Sequence, residues 1–393
     1  MQDYGIKVWS DDNFKIDKDK LKINHGCTPA LLDIVTQIRN DGKRGPLLLR
    51  FPHLVEKQIN ALYKNFSRVY KELSYQGSFQ AVFPLKVNQY PNFVKALLEK
   101  GKKYHYGLEA GSKAELLIAM TYINEGTPIL VNGFKDKELI KMAFLSAKMQ
   151  QDITLTIEGL NELKSIIEVA KEEGTPMPKI GLRVKLHSAG IGIWAKSGGI
   201  NSKFGLTSTE LIEAIFLMKE HGLLEHFTMI HFHIGSQMTD IAPLKKALKE
   251  AGNIYTDLIN LGATALHTLN LGGGLAIEYS QNASFPQIQY SLEEYTNDVV
   301  FMLQSIAKAK KVPEPNIILE SGRFVAAPHA VLIAPVFELF SKEYSQKALK
   351  LKENNPPLID ELHELFKDID KKMPENFYMI VLIIYILYLR FLT

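Results

Sequence analysis

Ala81-Val82-Phe83-Pro84-Leu85-Lys86-Val87-Asn88-Gln89 is an apolar run that ends in a lysine and then becomes polar. This is the pattern of a buried strand that delivers one amine to the mouth of a pocket. A lone lysine at such a point is more often an exposed residue at a strand end. The functional interpretation of Lys86 therefore depends on the rest of the chain.

Seven more short apolar runs follow this one, at 105–109, 128–132, 153–157, 179–185, 228–235, 267–272 and 316–320. Helix-like stretches separate them, at 111–123, 135–148, 159–173, 207–221, 243–261 and 292–311. Eight strands that alternate with helices predict an α/β fold, a (β/α)₈ barrel over residues 46–330. A doubly wound open sheet is the competing fold, but the regularity of eight units favours closure.

The segments on either side of the predicted barrel have a different character. Residues 4–16 alternate enough to suggest a strand pair turned at residues 10–13, so we predict that 1–45 form part of a β-domain. Residues 331–393 would form an incomplete C-terminal β/helical region. Its apolar stretch 377–392 is short for a membrane span and favours a buried core segment over a tail anchor. A tail that is foreign to the fold, as after a frameshift, is the third alternative.

Composition excludes several classes of protein. The chain has 393 residues, of which 46% are hydrophobic and 23% charged, and a net charge of +3. This is an ordinary globular balance, with too little positive charge to predict nucleic acid or an anionic membrane as partner. Cys27 is the only cysteine, which rules out an internal disulfide and predicts a cytoplasmic location. The polar N-terminus predicts no signal peptide.

Polar residues lie at the carboxyl ends of the predicted strands, where barrel enzymes have their active sites. The ends of strands one, two and five supply Lys86, Glu109 and Arg183. After strand seven, three adjacent glycines would let backbone amides approach an anion. The anion site would be completed by residues after strands six and eight, namely Ser236, Gly322 and Arg323. A glycine triplet alone is more often a tight turn.

Glu320 and two histidines have more than one interpretation. A carboxylate after an apolar run needs a partner, which could be Arg323, another cation of the barrel, or a protonated ring nitrogen of a cofactor. His231 and His233 lie two apart and so point to the same side of a strand. They could be core residues, a metal-binding pair, or a ring stacked on a cofactor.

Taken in order, these motifs resemble the alanine racemase-like class of pyridoxal phosphate enzymes, and within it the biosynthetic arginine decarboxylases. The similarity extends over about residues 4–335. The strings that carry it are Tyr4–Trp9, Pro84–Gln89, Gly107–Leu116, Asn132–Asp136, Ser202–Leu206, His231–Met238, Gly272–Leu275 and Glu320–Arg323.

The resemblance implies a role for each strand-end residue. Lys86 would hold pyridoxal 5′-phosphate as a Schiff base, with His233 stacked on the ring and Glu320 paired with its nitrogen. Arg183 would lie near the phenolate oxygen of the ring, and Glu109 near Lys86. The phosphate would be held by Ser236, Gly272, Gly273, Gly274, Gly322 and Arg323. The substrate would be bordered by Leu269, Asn270, Leu271, Leu275, Ala276, Ile277, Glu278 and Tyr279.

The reaction that the resemblance implies is decarboxylation of L-arginine to agmatine, a polyamine precursor. Another basic amino acid or diaminopimelate is the remote alternative. Because the amine of Lys86 must be neutral to attack, we expect a desolvated, cationic neighbourhood around it. The resemblance also implies an amino-acid substrate as ligand and a magnesium requirement without an assignable site. If the β-domain is complete, it implies a homo-oligomer of at least two chains.

The chain departs from the family after residue 340. Family members are longer, and their C-terminal part supplies a cysteine and a tyrosine to the active site. No such motif follows residue 340 here, so we expect a truncated or frameshifted chain. One alternative function is therefore an inactive cofactor-binding fragment or regulatory subunit. Another is a metal-dependent barrel hydrolase that uses His231 and His233.

Overall fold

The computed structural model describes residues 5–24, 28–123, 126–188, 202–279 and 287–338, together with Pro357 and Asp360. Contacts divide the chain into two units, Met1–Pro335 and Val336–Thr393. The apolar stretch 377–392 lies outside the described residues, as does Cys27. Among the helices that are described, none has the length and apolarity needed to cross a bilayer.

Eight parallel strands close into a barrel, as the sequence predicts. The strands are β4 (Phe79–Pro84), β5 (Gly107–Ala110), β6 (Ile129–Val131), β7 (Ile153–Ile157), β8 (Lys179–Arg183), β9 (Phe227–His231), β10 (Thr268–Asn270) and β11 (Asn316–Glu320). Around the barrel the order is β10, β11, β4, β5, β6, β7, β8 and β9, and each strand is parallel to both neighbours.

Helix α3 (Pro52–Leu73) precedes the first barrel strand, and the helices that connect the successive strands are α4 (Pro91–Gly101), α5 (Lys113–Tyr122), α6 (Lys137–Lys148), α7 (Leu160–Glu173), α8 (Ser208–Glu220), α9 (Ala242–Asn260) and α10 (Leu292–Lys310). From α5 onward the helix ends fall within two residues of the predicted ones. Complete capping boxes begin α8, with Thr207 and Glu210, and α10, with Ser291 and Glu294. At α5 the Glu115 carboxylate instead accepts hydrogen bonds from the Gly111 N–H and from Gln89 Nε2, each at 2.7 Å. Glu115 thereby ties the loop after β5 to the loop that follows Lys86.

Two apolar layers hold the barrel together. The larger lies between strands and helices and buries large side chains such as Phe66, Phe83 and Phe144. A smaller cluster joins Val82 and Leu130 to Met229, which come from strands that are not neighbours in the barrel. Such residues can meet only across the barrel interior. The interior is therefore filled, and a ligand can be bound only at its ends.

The segment before the barrel corrects one prediction. Residues 6–9 form a short helix, α1 (Ile6–Trp9), and not the first strand of a pair. Helical spacing lets Ile6 and Trp9 join one small apolar cluster, around Phe14. The strand pair lies later in the chain, between β1 (Phe14–Asp17) and β2 (Lys20–Ile23).

A second small sheet joins both flanks of the barrel. After helix α2 (Leu31–Asn40), strand β3 (Leu47–Arg50) pairs antiparallel with β12 (Ala330–Ile333), which follows the short helix α11 (Arg323–Ala326). Val331 and Ile333 pack against the same apolar cluster as α1. The domain boundaries at residues 45 and 330 remain a prediction.

Candidate active site

A cavity of about 390 Å³ opens at the carboxyl ends of the barrel strands. Side chains and backbone from β4, β9, β10 and β11, or from the loops after them, converge on it. Predicted site residues that line it include Lys86, His233, Ser236, Gly273, Glu320 and Arg323. The closure of the barrel has thus brought together residues that lie more than 200 positions apart in the sequence.

Lys86 lies beyond its strand and not at the strand end. Strand β4 ends at Pro84, and Lys86 occupies a single 3₁₀ turn, Leu85–Val87. Register pairs Pro84 with Glu109 of β5, so the turn places the lysine beside that carboxylate. Lys86 Nζ lies 3.4 Å from Glu109 Oε2.

The neighbourhood of Lys86 is anionic, so the expected cationic environment is wrong. Burial lowers the pKa of Lys86, but the charges of Glu109 and Glu320 raise it, and the net change is upward. Glu109 is fully buried, and neither of its oxygens has a well-aligned hydrogen bond with a described residue. Burial and the charge of Glu320 raise the pKa of Glu109 to about 7, against the lowering effect of Lys86. A carboxylate of this kind can accept a proton from the amine.

Glu320, at the end of β11, is held by amides. Its Oε1 accepts hydrogen bonds from Asn132 Nδ2 at 2.7 Å and from Asn270 Nδ2 at 2.9 Å. His231 Nδ1 lies 3.7 Å from the same oxygen. Within the described residues Glu320 makes no ion pair with Arg323. Burial raises the pKa of Glu320, but His231, Lys86 and the Asn270 amide lower it more, so the carboxylate is ionised.

The two histidines occupy different environments. His231 ends β9 and is 1% exposed, whereas His233 lines the cavity. His233 Nδ1 accepts a hydrogen bond from the Gly235 N–H at 3.1 Å, which places the proton of the neutral ring on Nε2. Burial lowers the pKa of His233, in spite of the Glu320 charge, so the ring faces the cavity uncharged. No group of three or more His, Cys, Asp or Glu side chains that could hold a metal occurs in the part of the chain that the structure describes.

The glycine turn after β10 leaves room for an anion. Gly274 has φ +117°, and a Cβ there would lie 2.7 Å from the Gly235 carbonyl oxygen. A Cβ on Gly273 would lie 2.9 Å from the Glu320 carbonyl oxygen. Ser236 and Arg323 line the same cavity, and the guanidinium of Arg323 makes no ion pair or hydrogen bond with any described residue. Backbone amides, a hydroxyl and an unpaired guanidinium together are suited to a phosphate.

Arg183 is held beside His233 by Phe204, which lies in the Ser202–Leu206 string, and by Glu158, which the sequence analysis missed. Its guanidinium lies 3.1 Å from Glu158 Oε2 and 5.6 Å from the ring centroid of Phe204. Glu158 also accepts the Gly133 N–H at 2.7 Å. Arg183 and His233 share a small cleft. Glu158 directly follows β7, so the rule that selected Glu109 could have found it.

A fully buried ion pair lies next to this group. Lys135 Nζ is 3.3 Å from Glu162 Oε2, and the Glu158 N–H donates to the same Glu162 carboxylate at 2.8 Å. Burial lowers the pKa of Lys135, against the raising effect of the two glutamates. The pair anchors the loops after β6 and β7, which position Arg183.

The residues predicted to border the substrate divide into three groups. Leu269 and Leu271 are buried in the large apolar cluster, and Asn270 contacts Glu320. Leu275 lines the cavity that contains Lys86. Ala276, Ile277, Glu278 and Tyr279 line a second cavity of about 670 Å³, which shares Leu275 and Phe324 with the first. Of the predicted substrate-border residues, only Leu275 and the four residues Ala276–Tyr279 line a cavity into which a substrate could extend.

Comparison with known proteins gives a consistent result. Residues 57–327 match the family described as pyridoxal-dependent decarboxylase, pyridoxal binding domain. The chain is 38% identical over 379 residues to a biosynthetic arginine decarboxylase of Geobacter sp. (strain M21), covering 94% of this chain and 59% of the relative. A biosynthetic arginine decarboxylase of Deinococcus radiodurans is 39% identical over 342 residues, covering 86% of this chain and 51% of the relative. The chain thus spans little more than half the length of these curated relatives.

Solved structures share the fold. A biosynthetic arginine decarboxylase from Campylobacter jejuni is 61% identical with a TM-score of 0.82, covering 96% of this chain and 62% of that one. Diaminopimelate decarboxylase from Helicobacter pylori, complexed with L-lysine, is 23% identical with a TM-score of 0.60, covering 75% of this chain and 68% of that one. This second likeness supports the fold alone.

Proposed function

The chain belongs to the pyridoxal-dependent decarboxylase family, and from this premise we propose that it converts L-arginine to agmatine and carbon dioxide. The observation that carries the proposal is the convergence of Lys86, Glu320 and the Gly273–Gly274 turn on one cavity. The choice of arginine is supported by the 61% identity to the Campylobacter jejuni biosynthetic arginine decarboxylase.

Pyridoxal phosphate fits the residues present. The turn after β10, Ser236 and Arg323 would hold its phosphate. Gly273 and Gly274 suit this role because they have no side chain to block the backbone amides, and a Cβ at either position would collide with neighbouring backbone. Lys86 would hold its carbonyl carbon, and Glu320 would face its ring nitrogen. When bound, the cofactor supplies an electron sink for the electron pair that remains after the α-carboxylate leaves.

The residues of the chain divide the remaining work. Glu109 Oε2, at 3.4 Å, is placed to take a proton from Lys86 Nζ and to return it. Ionised Glu320 favours a proton on a ring nitrogen placed beside it. Neutral His233 lines the cavity and would cover one face of the cofactor ring, which would exclude water from that side. Arg183, fixed by Glu158, adds positive charge beside His233.

The second cavity is suited to the substrate tail. It adjoins the first through Leu275 and Phe324, and its lining includes Glu278, whose Oε1 accepts the Ile288 N–H at 3.2 Å, and Tyr279. A carboxylate and an aromatic face are groups that bind a guanidinium. This arrangement supports a long cationic amino acid as substrate.

The experiment is a product assay on the purified chain with pyridoxal phosphate added. We expect agmatine and carbon dioxide from arginine, slower or no reaction with ornithine, lysine or diaminopimelate, and no reaction by Lys86→Ala. Release of no product from any of the four, with cofactor bound, would contradict the proposal and favour an inactive cofactor-binding fragment. Preference for another of the four would overturn the choice of substrate.

Three further points belong to this proposal. We propose a homo-oligomer of at least two chains, on the resemblance to the family, and light scattering would test it. A cytoplasmic location rests on the single cysteine, and cell fractionation would test it. A magnesium requirement rests on the resemblance alone, and a chelator titration of activity would test it.

A further inference from the structure

Glu320 has one carboxylate oxygen occupied and the other open to the cavity. Oε1 accepts both amide hydrogen bonds, from Asn132 Nδ2 at 2.7 Å and Asn270 Nδ2 at 2.9 Å. Oε2 makes no hydrogen bond with the described residues, and Glu320 lines the cavity. Two donors on one oxygen fix the rotation of the carboxylate and leave the second oxygen free to face the cavity.

The orientation of the Asn270 amide is itself fixed. Asn270 Oδ1 accepts the Gly272 N–H at 2.9 Å, and the Gly272 carbonyl accepts the Glu320 N–H at 2.8 Å. Because Oδ1 must face that N–H donor, Nδ2 must face Glu320. The same side chain therefore sets both the carboxylate and the first residue of the glycine turn.

Asn132 comes from a part of the barrel that is not adjacent to β11. It follows β6, and its backbone N–H donates to the Ala110 carbonyl at 3.0 Å, which extends the sheet by one residue. Its side chain is 6% exposed and reaches Glu320, which lies 188 positions further along the chain. Two asparagines from separate strands thus converge on one buried oxygen.

Amide NH₂ groups favour only one protonation state of the carboxyl. They donate and cannot accept, so they stabilise the ionised form over the protonated form. Other groups also act on Glu320. His231 and Lys86 favour its negative charge, the neutral His233 ring adds no charge, and the charge of Glu109 opposes it. The amides are the direct hydrogen-bond donors among these neighbours.

We propose that Asn132 and Asn270 are positioning residues that keep Glu320 ionised and direct its Oε2 at the ring nitrogen of the cofactor. The identity of the cofactor rests on the proposed function. The position and charge of Glu320 do not depend on the proposed function.

The test is an infrared titration of the cofactor-free protein, in which Glu320→Gln identifies the Glu320 carboxyl band. Asn132→Leu and Asn270→Leu remove one donor each at similar side-chain volume. Asn65→Leu is the matched control, because its amide donates at 2.8 Å to the Ala61 carbonyl on α3. We expect the Glu320 midpoint to rise by about 1–2 pH units for each donor removed. Asn65→Leu should leave it unchanged.

An unchanged midpoint in both folded leucine variants would overturn the inference. If either variant fails to fold, as judged by circular dichroism, the alanine variant at the same position is titrated with the same expectation. A second measurement combines each change with Glu320→Gln in the holoenzyme. We expect kcat to fall about 10-fold in the single asparagine variants with KM nearly unchanged. No further fall is expected in the Glu320→Gln background, and additive losses would contradict the positioning role.

These outcomes separate the inference from the proposed function. The infrared titration needs neither cofactor nor substrate, so a chain that makes no agmatine can still show the shifted midpoint. Conversely, the chain could decarboxylate arginine while the Glu320 midpoint stays unchanged in both asparagine variants. That result would overturn the inference and leave the proposed function intact.

Discussion

Lys86 Nζ lies 3.4 Å from Glu109 Oε2, and Glu109 is fully buried. The amine that would hold the cofactor therefore has a proton acceptor beside it. Such a carboxylate is costly to keep charged, because burial removes its hydration and neither oxygen has a well-aligned hydrogen bond with a described residue. Burial and the charge of Glu320 raise its pKa from 4.5 to about 7, against the lowering effect of Lys86.

The first prediction concerns stability and pH. The pKa of Glu109 is higher in the folded chain than in the unfolded chain, so its protonated form stabilises the fold. This contribution is fully present below about pH 4.5 and is lost as the pH rises to about 7. Relative to Glu109→Gln, the free energy of unfolding of the cofactor-free wild type should fall by about 2–3 kcal/mol between pH 5 and pH 8. Urea unfolding of both proteins at the two pH values measures this. Parallel pH dependence would show that Glu109 does not titrate in this range.

The second prediction concerns the phosphate. Arg323→Met should weaken pyridoxal phosphate binding about 10- to 100-fold, because one charged hydrogen-bonding partner is lost. Binding of pyridoxal, which lacks the phosphate, should be nearly unchanged. Arg68→Met is the control, since Arg68 pairs with Glu72 on α3. Equal weakening of both ligands would place Arg323 outside the phosphate site.

The third prediction separates binding from turnover. Glu320→Gln keeps the size of the side chain but removes the charge that would face the ring nitrogen. We expect kcat to fall by about 10²–10³-fold while the cofactor dissociation constant changes little. Steady-state kinetics and equilibrium dialysis measure the two quantities. A variant with wild-type kcat would exclude Glu320 from this role.

The fourth prediction concerns the glycine turn. Gly274 and Gly262 both have left-handed backbones, with φ +117° and +106°. A Cβ at Gly262 meets nothing within 4 Å, whereas one at Gly274 meets the Gly235 carbonyl at 2.7 Å. Gly262→Ala should cost about 1–2 kcal/mol of stability from backbone strain alone. Gly274→Ala should cost more and should also weaken cofactor binding, as thermal unfolding and titration would show. Equal losses of stability in the two variants would contradict the close approach of Gly274 to the Gly235 carbonyl.

The barrel was predictable because each unit repeats one pattern. Apolar runs of strand length alternate with capped helices, and closure then brings Lys86, Glu109 and Glu320 together without further information. The helix Ile6–Trp9 was not predictable, because four residues carry no clear period and its packing depends on the later Phe14.

The supporting residues of the site were harder to predict. Asn132 and Asn270 are ordinary polar residues in sequence, and only the closed barrel shows that both reach one oxygen of Glu320. The sign of the charge around Lys86 was likewise predicted wrongly. It depends on Glu109 and Glu320 being near the amine at once, which is a property of the assembled strand ends.

The most direct measurement of the central claim is borohydride reduction of the chain with pyridoxal phosphate, followed by peptide mapping. The account predicts one reduced cofactor per chain, attached to Lys86 Nζ, and none on Lys86→Ala. Attachment to another lysine, or no attachment at all, would contradict it.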